Sequence, residues 1–140
     1  MTSLDRIHVT NEYNLDTYGF KYNDNIYYYD YGIKVMTNGI IREIKNIFNP
    51  KAFVIVNNMQ SIYIIAIEVY FTSSDHYFDR IDNNLTIIDC NTELCIKTIN
   101  INECNNIYID RIYCIDGEIK LYDKYDSVVW SKNIDSLLVK

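Results

Sequence analysis

Proline and glycine are nearly missing from this sequence, with one proline (Pro50) and four glycines in 140 residues. No linker or low-complexity tract divides the chain, and its length suits one domain, 1–140. The same scarcity leaves no phosphate-cradling glycine loop and no GxSxG elbow. Alanine occurs only at Ala52 and Ala66, so the best helix former is scarce. Histidine is limited to His8 and His76, and HExxH is absent. The longest apolar run, Ile62 to Phe71, is broken by Glu68 and falls short of the about 20 residues of a membrane span. The start, MTSLDRIHVTNEYN, lacks the basic end and apolar run of a secretory signal. The expected compartment is therefore the cytoplasm, or the host cytoplasm for a viral chain.

Positive charge is also short. Thirteen Lys and Arg face nineteen Asp and Glu, giving a net charge of −6, and no basic run interrupts the acidity. This argues against nucleic acid as a partner, because phosphate binding draws on Lys and Arg replacing counterions. The acidity suits solubility, and it suits a basic partner.

What is abundant points to strands. Hydrophobic residues make up 49% and charged residues 23%, ordinary usage for a folded chain. Ile, Asn and Tyr are heavily used, and β-branched and aromatic side chains suit a pleated, half-buried surface. Ile, Asn, Tyr and Lys share A/T-rich codons, which suggests a low-GC bacterium, a phage, a large DNA virus or an AT-rich protist.

Local patterns predict the elements. The first two dozen residues, with Tyr13, Tyr18, Phe20 and Tyr22, fit one or two short strands. Asn25 to Met36 reads as extended, with Ile26 and Tyr28 on one face and Tyr27, Tyr29 and Tyr31 on the other. In Gly39 to Phe48 the residues Ile40, Ile41, Ile44, Ile47 and Phe48 follow helical spacing. This predicts an amphipathic helix over 39–48 packed on one face of a sheet, capped by Thr37 or Asn38 and stopped by Asn49-Pro50. Phe53 to Val56 and Ile62 to Phe71 flank the turn Asn57-Asn58-Met59-Gln60 and form the strongest strand pair. The second of these is apolar on both faces, so it should run through the sheet centre, covered by the Ile40 helix. Ser73 to Asp82 fits a polar helical turn. Beyond it, Leu85–Asp89, Leu94–Ile99, Ile107–Cys114, Glu118–Tyr122 and Val128–Ser131 read as strands of antiparallel meanders. Asn133 should cap a short last helix carrying Ile134, Leu137 and Leu138. The segments 25–35, 84–99 and 118–130 share one plan, an apolar strand ending in Asp, a polar turn and a second strand. Repeated hairpins fit this better than a propeller, whose ring needs more blades than 140 residues hold.

Four groups of residues are candidates for chemistry. The hairpin Asp116 to Asn133 resembles one hairpin of the bulb-type mannose-binding lectins, a three-sided β-prism family, over about an eighth of the chain. Of that family's Gln-x-Asp-x-Asn-x-Val-x-Tyr sugar pocket, Asp116 and Tyr122 match, while Cys114, Glu118 and Lys120 depart from it. The resemblance implies carbohydrate binding at Asp116 and Tyr122. Cys90, Cys95, Cys104 and Cys114 lack zinc-knuckle spacing. They are either free thiols that pack as small apolar groups or paired, with Cys90 and Cys95 placed to face each other across a tight hairpin. Asp75, His76, Asp79, Arg80 and Asp82 form the densest polar cluster, suited to a solvated turn or to metal or acid/base chemistry. Finally, the run Tyr27, Tyr29 and Tyr31 would present an aromatic face to the chain's own N-terminal segment or to a partner.

The reading that follows is an α+β fold of mostly antiparallel sheet, and a non-enzymatic protein-binding domain. An inhibitor, an immunity or host-interaction factor, or an accessory subunit would each qualify. Its contact residues are Tyr27, Tyr29 and Tyr31, its partner is a protein or a second copy of the chain, and no cofactor, metal or membrane span is indicated. The rivals are a carbohydrate-binding module and a small metal-dependent hydrolase.

Overall fold

A computed structural model describes residues 2–10, 16–59, 61–73 and 79–138. It is mainly antiparallel β structure with one short α-helix. The N-terminal sheet is a simple meander of β2 (Arg6–Thr10), β3 (Asp16–Tyr22), β4 (Asn25–Tyr29), β5 (Ile33–Thr37) and β6 (Ile40–Glu43). In the middle sheet, β1 (Thr2–Ser3), β7 (Pro50–Asn58), β8 (Ser61–Ser73), β9 (Asp79–Asp89) and β10 (Cys95–Asn100) lie side by side in that order. The C-terminal sheet holds β11 (Arg111–Ile115), β12 (Glu118–Tyr122) and β13 (Val128–Asn133), and runs into α1 (Ile134–Leu138).

The middle sheet organises the core. Strand β8 lies between β7 and β9, and every residue from Ile64 to Val69 is buried, as expected of a strand apolar on both faces. Pairing places Phe53, Ala66 and Thr86 on one face of this sheet and Val69 and Asn83 on the other. The first face meets the N-terminal sheet, where the Phe53 ring lies 5.3 Å from Phe20 and 5.7 Å from Tyr18. On the second face, the Asn83 amide donates to the carbonyls of Cys104 and Ile107, both at 2.8 Å, and so ties down the 3₁₀ turn Asn102–Cys104. Arg6 joins the N-terminal and C-terminal sheets. Its guanidinium lies 4.2 Å from the Tyr18 ring and 4.6 Å from the Tyr113 ring, and it donates to the Ile112 carbonyl at 2.7 Å.

The helix predicted over 39–48 is not formed. Asn38 and Gly39 both have positive φ, 51° and 82°, the geometry of a two-residue hairpin turn. Ile40–Glu43 therefore folds back as β6 along β5. The helical spacing of the isoleucines does not survive as one buried stripe. Ile44 and Ile47 are buried, whereas Ile40 is 73% and Phe48 70% exposed. Pro50 opens β7, a position that needs no ladder donor, and a register shift follows it before Ala52.

Elsewhere the predicted hairpins form. β7 and β8 pair around a turn with Met59 at φ 50°, while Gln60 lies outside the described residues. The three look-alike segments become the hairpins β4–β5, β9–β10 and β12–β13, one in each sheet. Two of their aspartates close the turn as expected of that residue. Asp89 Oδ1 accepts from the Asn91 amide at 2.7 Å, and Asp123 Oδ1 from the Tyr125 amide at 2.9 Å. The C-terminal helix forms with Asn133 Oδ1 accepting from the Asp135 amide at 2.8 Å, and Ile134 and Leu137 are buried. The predicted helical turn at Ser73 to Asp82 is replaced at both ends by strand, since Ser73 ends β8 and Asp79 opens β9. Tyr13, Asp75, His76, Tyr77 and Phe78 lie outside the described residues.

Candidate functional site

Strand β4 separates the tyrosines that its sequence groups together. Tyr27 is 1% exposed and belongs to the core, its hydroxyl facing the Cys90 thiol. Burial and its neighbours push Tyr27 up to about 12, and burial pushes Cys90 to about 12. Tyr29 is half-buried, and burial raises its pKa. Tyr31, in the turn after β4, is 88% exposed. Of the described N-terminal residues, β2 and β3 join the same sheet as this strand, with β3 paired edge to edge with β4.

Tyr29 and Tyr31 open onto a cleft of about 420 Å³, which they share with Asn49, Pro50, Lys51, Val69, Phe71 and Tyr108. Each wall has a local cause. β8 runs on past Glu68, where its pairing with β7 ends, so Val69 and Phe71 keep only β9 as a ladder neighbour. Phe71 is 64% exposed and stacks on Tyr108, with centroids 6.2 Å apart and planes 29° apart. Asn49 takes φ 48°, and its carbonyl accepts from the Val69 amide at 3.4 Å. One residue earlier, the Phe48 amide donates to the buried Glu68 carboxylate at 3.0 Å. That carboxylate also accepts from the Tyr70 hydroxyl at 2.6 Å and from Thr86 Oγ1. A fully bonded buried carboxylate thus fixes the approach to the cleft wall.

Among the described residues, Lys51 is the charged side chain lining the cleft. Its ammonium lies 5.0 Å from the Tyr108 ring centroid, and its hydrogen bond with the Tyr108 side chain holds its pKa above the ordinary lysine value. It therefore keeps its charge at neutral pH.

Tyr31 sits at the lip of this cleft with φ 53°. Of the nine non-glycine residues at positive φ among the described residues, six are Asn or Asp, which tolerate that region, and Tyr31 is the aromatic one. Strained backbone that presents an exposed ring beside a cavity is a pattern of functional sites.

Among the described residues, the other candidates are not gathered in this way. Asp116 sits with Gly117 in the two-residue β11–β12 turn at φ 51°. Tyr122 lies at the opposite end of β12, edge-to-face with Tyr113 at 5.4 Å. Arg80 and Asp82 pair with each other at 2.9 Å on the exposed surface. Among the described residues, no group of three or more His, Cys, Asp or Glu could hold a metal ion. All four cysteines are free thiols, with Cys90 and Cys104 buried, and pairing sets Cys95 opposite Ile88 rather than Cys90. A second cavity of about 460 Å³, with Tyr63, Ile87, Asp89 and Lys97 in its lining, extends to Leu137 and Leu138. Its polar groups already serve the fold, since Lys97 donates to the Leu137 carbonyl at 3.2 Å and Asp89 closes its own turn.

Sequence reasoning reached Tyr29 and Tyr31 but missed Lys51, Phe71 and Tyr108. Asn49-Pro50, read as a helix stop, supplied the only local hint of an irregular wall. No protein-family model matches this sequence, and comparison with curated proteins and with solved structures returns no match. No helix among the described residues is long and apolar enough to cross a membrane.

Proposed function

We propose that this chain is a non-enzymatic protein-binding domain, acting as an inhibitor, an immunity or host-interaction factor, or an accessory subunit. The aromatic cleft around Tyr29, Tyr31, Phe71 and Tyr108 is its recognition surface. The observation that carries this reading is Tyr31, a large ring held by left-handed backbone at the cleft lip and left almost wholly in solvent. Tyrosine and phenylalanine supply contact area at low conformational cost, which is why aromatic side chains dominate interface hot spots. The cleft lies near the small end of ligand cavities, roughly 300–1,000 Å³, so it holds one or two side chains of a partner rather than a long segment.

The test is affinity purification of the tagged chain from its native source, followed by mass spectrometry, with Phe71→Ala and Tyr31→Asn forms run in parallel. The reading predicts one stoichiometric protein, a second copy of the chain included, that the wild type retains and both variants lose. Equal recovery by all three forms, or no stoichiometric protein together with binding to a glycan array, would overturn it.

A further inference from the structure

Resting on that reading, we infer that the cleft takes a partner segment in which a carboxylate lies beside an aromatic or apolar side chain, and that Lys51 is the group that reads the carboxylate. The apolar part of the specificity follows from the lining. Tyr29, Tyr31, Phe71, Val69 and Pro50 surround the space, and the Phe71–Tyr108 stack offers a flat wall for a ring.

The charged part follows from Lys51. Its ammonium carries three donors, lies 5.0 Å from the Tyr108 ring centroid, and sits within the lining rather than on a free surface. Asp110, the acid whose charge acts on it, is already ion-paired with Arg111, with Oδ2 3.3 Å from Nε. Among the described residues, no other charged side chain lines the cleft. A cationic anchor would meet Lys51 head-on, and a neutral apolar one would leave its ammonium without an acceptor from the partner. A carboxylate gains a charge-assisted hydrogen bond.

The net charge of −6 does not oppose this. Exposed charges are screened over about 8 Å at physiological salt, so the near charge decides what enters the cleft. The distant acidity acts on the approach of the whole partner. The occupant is therefore a segment with one well-placed acid next to its ring, not a polyacidic tail.

The experiment selects a displayed library of random short peptides against the wild-type chain and against Lys51→Gln. The best peptide is then titrated in its Glu or Asp form and in the matching Gln or Asn form. The wild type should enrich peptides with an acid adjacent or next but one to an aromatic residue, and should prefer the acidic form by about fivefold to tenfold. Lys51→Gln should bind both forms within about twofold of each other, and Lys51→Arg should restore the preference. Thermal melting of each variant against the wild type shows that the fold is kept.

Two results would overturn the inference in distinguishable ways. Enriched aromatic peptides without an acid, or an acid preference that persists in Lys51→Gln, would remove the role of Lys51 and leave the protein-binding cleft standing. If no peptide is enriched and partner capture is indifferent to Phe71→Ala, the cleft itself loses its function, and the assignment of Lys51 falls with it.

Discussion

Replacing Tyr31 by Asn should separate binding from folding. A residue with a Cβ in the left-handed region costs about 1–2 kcal/mol, and Asn is one of the few residues that eases it, through its short polar side chain. Against that gain stands the packing lost with the ring. With Tyr31 88% exposed, only about a tenth of its surface is covered. The loss is a few tenths of a kcal/mol, compared with about 1.5–3 for a fully buried large side chain. Tyr31→Asn should therefore be about 0.5 kcal/mol more stable than the wild type, a rise of about 1–3 °C in Tm for a chain of this size. Urea unfolding followed by tyrosine fluorescence or circular dichroism reads the change. Affinity for the captured partner should fall at least about tenfold, or 1.4 kcal/mol. A loss of more than about 1 kcal/mol of stability would make Tyr31 a structural anchor, and unchanged affinity would remove it from the interface.

The remaining predictions concern what holds the cleft and the core. Glu68→Ala leaves the Phe48 amide, the Tyr70 hydroxyl and the buried Thr86 hydroxyl without their acceptor, and should cost about 3–5 kcal/mol. A change below about 1 kcal/mol in urea titrations would show that this carboxylate does not brace the wall. Arg6→Lys should cost about 1–2 kcal/mol, because an ammonium cannot stack flat between Tyr18 and Tyr113 while reaching the Ile112 carbonyl; a neutral result would discount that junction. In the folded protein near pH 8, a thiol reagent should label the exposed Cys95 quickly and the buried Cys90 and Cys104 only after unfolding, as peptide mass mapping would show. Cys90 rises from 9.0 to about 12 and Tyr27 from 10.0 to about 12 on folding. Both groups are neutral when protonated, so their effect on stability is nil to favourable below pH 9. The unfolded chain ionises first above that value, so stability should fall as pH climbs from about 9 towards 12. Tyr27→Phe should flatten the part of that decline above pH 10, and an identical pH profile for the variant would refute the assignment.

How far the sequence revealed the fold depended on the range of the forces involved. The β7–β8 hairpin, the central place of β8 and the Asn133 cap were legible because each rests on neighbours in sequence. The error at 39–48 has a definite cause. Five apolar residues at helical spacing outweighed a two-residue signal, yet Asn38-Gly39 specifies a tight hairpin turn strongly enough to send Ile40–Glu43 back along β5. The division into three sheets was not legible, since it depends on pairings such as β1 with β7 that no local pattern announces. The cleft was half legible for the same reason. The tyrosine run drew attention to Tyr29 and Tyr31. Phe71 and Tyr108 reach the same cavity only because the extension of β8 beyond β7 and the segment before β11 meet there. Tyr27 illustrates the limit of alternation, because Tyr27 and Tyr28 point to opposite faces and both are buried.

The most direct test of the aromatic cleft as a recognition surface is site-specific photo-cross-linking in the native source, with a photoreactive phenylalanine placed at position 31 or, as a control, at Tyr125. Tyr125 is 75% exposed on the β12–β13 turn and lines no part of the cleft. The account predicts one dominant protein adduct from position 31, suppressed by excess wild-type chain but not by excess Phe71→Ala, and no such adduct from position 125. The same adducts from both positions, or none from position 31, would contradict it.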